Sequence, residues 1–168
     1  MTQRASQLSP QPMDALWMPY TANRQFKSAP RMITGAQGNY LIDDSGRKIF
    51  DGLSGLWTCG AGHNRPEITE AVAKQLATLD YAPAFQYGHN LAFELAERLA
   101  AMAPSDINKV FFTNSGSEAA DTATKMARAY WRQQGQPTKT RIIGRAKGYH
   151  GASWGGISFG GIGANRKM

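Results

Sequence analysis

Two short stretches of this chain bring together residue types that can hold an anion and a flat ring. The first is Thr113-Asn114-Ser115-Gly116-Ser117-Glu118, where an Asn-Ser-Gly-Ser turn runs directly into an Ala-rich helical pattern. The free N–H groups of a first helical turn, with the helix dipole behind them, suit such a turn to phosphate. Gly116 admits close backbone approach, and the hydroxyls of Ser115 and Ser117 can donate. The same residues also make an ordinary helix cap, and spacing alone does not choose between the two. The turn is neither a GxxxxGK[ST] loop nor a GxGxxG dinucleotide loop.

The second stretch is Gly148-Tyr149-His150-Gly151, just after an apolar run. In a parallel sheet, loops at the carboxyl ends of strands line the ligand crevice. Tyr149 and His150 are therefore expected on the same cleft as Ser115, Gly116 and Ser117. An aromatic there can stack on a ring, or it can simply close the sheet top with its hydroxyl in water. Gly151-Ala152-Ser153-Trp154-Gly155 matches GxSxG, but no Asp, Glu or His follows it to complete a serine hydrolase triad. Ser45-Gly46-Arg47-Lys48 matches SxxK only across a turn. His63, His89, His150 and the single Cys59 lack metal-ligand spacing, so no metal site is expected.

These residues need a scaffold, and the rest of the chain supplies its pieces. Residues 1–37, with four prolines, read as a polar arm. NYLI and RKIF around Asp-Ser-Gly predict a hairpin. DGLSGLWTCGAGH reads as a loop close to other backbone. Asn64 with Glu67 three residues on predicts an N-cap, starting a helix with Ile68, Val72, Leu76 and Leu79 on one face. A second helix is predicted from about Asn90 to Met102, stopped by Pro104. KVFFT (109–113) and TRIIG (140–144) read as buried strands flanking a helix over 117–134 that Gly135 closes. The alternation gives an α/β layout with a mainly parallel sheet.

With 168 residues, 42% hydrophobic and 18% charged, the chain suits one globular domain and not a disordered one. No apolar run approaches the ~20 residues of a membrane span, and no export signal is evident. With one cysteine, a reducing cytoplasm is the expected location. The net charge of +7 is unevenly placed: all 12 acidic residues fall within 1–121, and residues 122–168 carry only Lys and Arg. Those bases are dispersed, with no nucleic-acid-binding signature. The asymmetry is expected if the chain is the first part of something longer.

FFTNSGSEAADTATKMAR, then a strand and KGYHGAS, resembles the class III (omega) aminotransferases, pyridoxal-phosphate enzymes of fold type I. GNYLIDDSGRKIFDGLSGLWTCGAGH is similar to that family's N-terminal hairpin and pocket loop. LSGLW and YAPAFQYGHN resemble the omega-amino acid:pyruvate (beta-alanine:pyruvate) branch in particular. The resemblance runs from about Trp17 to the last residue. It implies an arm, hairpin and pocket loop of the small domain over 1–60, and the incomplete start of the large cofactor-binding domain over 61–168.

By that resemblance, Ser115, Gly116 and Ser117 hold the phosphate of pyridoxal 5'-phosphate. Tyr149 stacks on its ring and His150 supports that face. Leu56 and Trp57 line the substrate pocket, and Phe85 reaches the partner subunit's site in a homodimer. The implied reaction moves an amino group from an omega-amino acid, such as beta-alanine, or an amine to pyruvate. The family's Schiff-base lysine, pyridine-pairing aspartate and carboxylate-binding arginine have no counterpart here, so no catalytic residue is assigned and the chain alone is expected to be inactive. Two other readings stand beside this one: a noncatalytic phosphate- or nucleotide-binding α/β module, and a basic nucleic-acid-associated protein. Neither a nucleic acid nor a membrane is the expected partner.

Overall fold

The side chain of Asp43 organises the turn between the two strands expected at 40–50. One carboxylate oxygen accepts from the Ser45 hydroxyl (2.6 Å) and from the N–H groups of Ser45 (3.1 Å) and Arg47 (2.9 Å). The other accepts from the Arg47 guanidinium at 3.0 Å. This is why Asp-Asp-Ser-Gly turns the chain: the aspartate satisfies the backbone donors that the turn strips from a ladder. The Ser45 hydrogen bond, more than the Arg47 charge, holds the Asp43 carboxyl below its usual range.

The structure is a computed structural model describing residues 13–167. The first twelve residues of the expected arm lie outside the described residues. The remainder of that arm is more structured than its composition predicts, with helix α1 (Asn23–Ser28) and strand β1 (Ile33–Gln37). Strands β2 (Tyr40–Asp43) and β3 (Lys48–Phe50) form the predicted hairpin, and β1 adds to its edge in the order β1-β2-β3, all antiparallel. Tyr40 faces Phe50 in register, their rings edge-on at 5.7 Å. A bridge between Gly38 and His63 ties the sheet to the loop beyond it.

The chain continues through α2 (Ser54–Trp57), α3 (Pro66–Thr78), α4 (Asn90–Met102) and α5 (Gly116–Gln133). The bounds of α4 are those the leucine spacing and Pro104 predict. Asn64 does not cap α3. Its amide donates instead to the carbonyl of Ala36, and the helix begins at Pro66 after Arg65, which pairs with Glu67 at 3.2 Å. Two short helices, α6 (Trp154–Phe159) and α7 (Gly163–Arg166), complete the described chain. Its contacts fall into two compact units, one running to Pro83 and the other from Ala84.

The strands expected at 109–113 and 140–144 are not formed as strands. Among the described residues neither segment has a ladder partner, and no parallel pairing occurs. A strand exists only as far as a neighbour takes its N–H and C=O groups. Nor are these segments buried: Phe111 and Phe112 are exposed, and Ile143 is 89% exposed. Among the described residues no apolar side chain is buried. The apolar faces of α3 and α4 are well formed but uncovered.

Candidate active site

The N-terminus of α5 is built by its own first residues. The Ser115 hydroxyl accepts from the N–H of Glu118 at 3.1 Å, and the Glu118 carboxylate reaches back to the N–H of Asn114 at 2.7 Å. That reciprocal cap satisfies the third helical donor. Among the described residues, the N–H groups of Gly116 and Ser117 meet no acceptor. A Cβ placed on Gly116 would meet nothing within 4 Å, and its φ is not in the left-handed region, so the fold itself does not demand glycine there. Two free donors beside open space fit an anion of phosphate size.

Ser117 is held from a distance. Its Oγ accepts from the backbone N–H of Ala152 at 2.9 Å. With one lone pair so engaged, the hydroxyl keeps its proton for an acceptor outside the protein. The contact is possible because Gly151 has φ +108°, and a Cβ there would lie 2.7 Å from Ser117 Cα and Oγ. Four residues further along α5, Asp121 Oδ1 accepts from the N–H of Gly156 at 3.0 Å. The structure thus brings the segment Tyr149–Gly156 against the start of α5.

Within that segment His150 packs on Phe159, ring centroids 5.3 Å apart, while Tyr149 stays exposed. The glycines are there for close approach. A Cβ on Gly155 would stand 2.6 Å from Asp121 Oδ1, and one on Gly156 would collide with the carbonyl of His150. The GxSxG resemblance is explained by this packing. Ser153 precedes α6 and makes no side-chain cap bond.

In the other unit, Leu56 and Trp57 lie in α2, a turn with positive φ at four successive residues: Ser54 (49°), Gly55 (59°), Leu56 (56°) and Trp57 (73°). Left-handed backbone costs about 1–2 kcal/mol per residue for side chains with a Cβ. Asp51 offsets part of that cost by accepting from the N–H groups of Gly55 (2.7 Å) and Leu53 (3.3 Å). The turn leaves Trp57 79% exposed. Phe85 belongs to the second unit and is 84% exposed.

Sequence reasoning missed Asp51, His63, Asp121 and Ala152. Asp121 carries one signal: it stands four residues after Ser117, on the same helix face. A groove of the second unit, about 760 Å³, runs along Lys125, Arg128 and Arg132, two turns and more beyond Gly116. Among the described residues there is no group of three or more His, Cys, Asp or Glu placed to hold a metal, and no helix is long and apolar enough to cross a membrane.

The family described as Aminotransferase class-III matches residues 21–167. The chain is 65% identical over 154 residues to the beta-alanine–pyruvate aminotransferase of Pseudomonas aeruginosa, covering 92% of this chain and 34% of that protein. It is 63% identical over 164 residues to the omega-amino acid–pyruvate aminotransferase of Pseudomonas putida, covering 98% of this chain and 36% of that protein. The chain therefore spans about a third of the length of these relatives. Its fold superposes, at a TM-score of 0.86 and 36% identity, on a crystal structure of the omega transaminase of Pseudomonas jessenii in complex with PMP, covering 90% of this chain and 34% of that one. These neighbours are fold-type I enzymes, and pyridoxal phosphate is the family's cofactor. The noncatalytic and nucleic-acid readings are left without support. Matched to this family over residues 21–167, the chain belongs to the class III aminotransferases.

Proposed function

We propose that this chain supplies the phosphate cradle and part of the pocket of an omega-amino acid:pyruvate aminotransferase. The observation that carries the reading is the pair of free donors at Gly116 and Ser117, with the Ser117 hydroxyl held ready to donate and Tyr149 and His150 on the adjoining segment. Pyridoxal phosphate, when bound, serves as an electron sink for the amino carbon. The chain's own residues bind and orient. Ser115 shapes the cap, Gly116 and Ser117 take the phosphate, Tyr149 covers the ring, and His150 supports it against Phe159. Leu56 and Trp57 form an apolar wall for a donor that carries its amine away from its carboxylate, and Phe85 reaches the site of a second copy in a cytoplasmic homodimer. The 168 residues alone are inactive, because none of their lysines stands in a Schiff-base context.

The test uses the full protein and two ligands, pyridoxal phosphate and pyridoxal, measured by equilibrium dialysis. A charge-assisted hydrogen bond is worth about 1.5–3 kcal/mol, so Ser117→Ala should weaken pyridoxal phosphate roughly 10- to 100-fold. Gly116→Val should do the same by filling the open space. Pyridoxal, which lacks the phosphate, should bind all three proteins alike. Unchanged pyridoxal phosphate affinity would remove the cradle assignment. Alanine formation from beta-alanine and pyruvate tests the reaction itself.

A further inference from the structure

Two hydrogen bonds join α5 to the segment that carries Tyr149 and His150, and they are spaced alike on both sides. Ser117 accepts from Ala152, and Asp121 accepts from Gly156. Each partner is four residues on from the other, so the two bonds form parallel rungs one helical turn apart on α5. The acceptors are side chains and the donors are backbone, so the segment is gripped by its main chain whatever its side chains do.

We infer that Asp121 is a positioning residue of the cofactor site: by holding the N–H of Gly156 it keeps Ala152 on Ser117, so that the phosphate donors and the Tyr149–His150 wall act as one piece. The inference rests on the cofactor reading above. Three features support it. Gly155 leaves room for the Asp121 carboxylate, since its Cβ would intrude to 2.6 Å. Gly151 leaves room for Ser117 in the same way, at 2.7 Å. Gly156 is buried and the Asp121 rung part-buried, whereas the Ala152 rung is exposed, so the more shielded rung is the one able to steady the other. Without the second rung, the first is a lone bond to a freely rotating hydroxyl. Ser117 would then be free to turn its proton inward, and Tyr149 and His150 would lose their fixed distance from the phosphate donors.

Asp121 and Ser117 are separable by experiment. Ser117→Ala removes a phosphate contact and the first rung but leaves the second to hold the ring wall, whereas Asp121→Ala removes no phosphate contact, so any loss it causes acts through the segment. In the full protein, Asp121→Ala should therefore weaken both pyridoxal phosphate and pyridoxal, by roughly tenfold or more for the phosphate form. Asp121→Asn keeps a carbonyl oxygen at the Oδ1 position and should restore most of the affinity. Gly155→Ala should reproduce the loss by pushing the carboxylate aside, which gives a second variant should Asp121→Ala fail to fold. Amide hydrogen exchange supplies a readout free of cofactor: in Asp121→Ala the amide of Ala152 should lose protection together with that of Gly156, while amides of α4 keep theirs. Wild-type affinity for both ligands with an unaltered Ala152 amide would overturn the inference. So would an Asn variant as impaired as the Ala variant. A wild-type protein that binds no pyridoxal phosphate would instead overturn the cofactor reading, and the exchange experiment would still decide whether the rungs are coupled.

Discussion

Nε2 of His63 lies 2.7 Å from Oδ2 of Asp51, the same oxygen that accepts the N–H of Gly55. His63 is itself bridged through its backbone to Gly38 at the end of β1. One carboxylate therefore links the sheet, the loop after it and the left-handed turn that carries Leu56 and Trp57.

This arrangement has an acid dependence of known sign. The His63 hydrogen bond first, then the N–H groups of Gly55 and Leu53, hold the Asp51 carboxyl below its ordinary value. A depressed folded-state pKa contributes stability that is complete above the unfolded value of about 3.9 and is lost as pH falls through the folded one. The turn at 54–57 should thus persist through the ordinary carboxylate range and loosen only below it. With Trp17, Trp131 and Trp154 replaced by Phe, Trp57 fluorescence should show that midpoint, and Asp51→Asn should abolish the transition. A midpoint at or above the ordinary aspartate value would contradict the arrangement.

The cap of α5 should be separable from the anion site beside it. Ser115→Ala removes the acceptor for the Glu118 N–H, at a cost of about 1 kcal/mol. Exchange of the Glu118 amide should quicken roughly fivefold, the rate change that this energy implies, while helix content away from the first turn stays constant. Unaltered exchange would mean that Ser115 does not cap the helix.

The uncovered faces of α3 and α4 carry Ile68, Val72, Leu76, Leu91 and Leu95, all exposed. Contiguous apolar area of that kind drives association. The 168-residue chain in isolation should bind an environment-sensitive apolar dye and elute from size exclusion at volumes that fall as concentration rises. A monomer that binds no dye at any concentration would refute this.

Local sequence carried a good part of this architecture. The hairpin at 40–50, helix α4 and the closure of α5 at Gly135 (φ +70°) follow from turn chemistry, leucine spacing and glycine placement. The failures share a physical cause: their partners are distant in sequence. Asn64 has every mark of an N-cap but spends its amide on Ala36, 28 residues away. KVFFT has the pattern of a buried strand, yet patterning states what a segment needs and not whether a neighbour supplies it. Ile33–Gln37, mostly small or polar, is a strand because β2 offers it a ladder. At the candidate site, the sequence set Ser117 and Tyr149–His150 on loops expected to meet, but the two rungs that join those segments were not legible. Glycines at 151, 155 and 156 read as loop, whereas each marks a place where another group needs the room.

That difference between glycines has a consequence for how the chain responds to selection. At Gly156 any larger side chain collides with the main chain at His150, so substitutions there should disappear from a mutant library sorted for abundance alone. At Gly116 a side chain projects into empty space, so the same sort should retain many replacements, and only a sort for cofactor retention should deplete them. Comparing the two depletion profiles would mark the ligand position from the sequencing reads, without a bound complex.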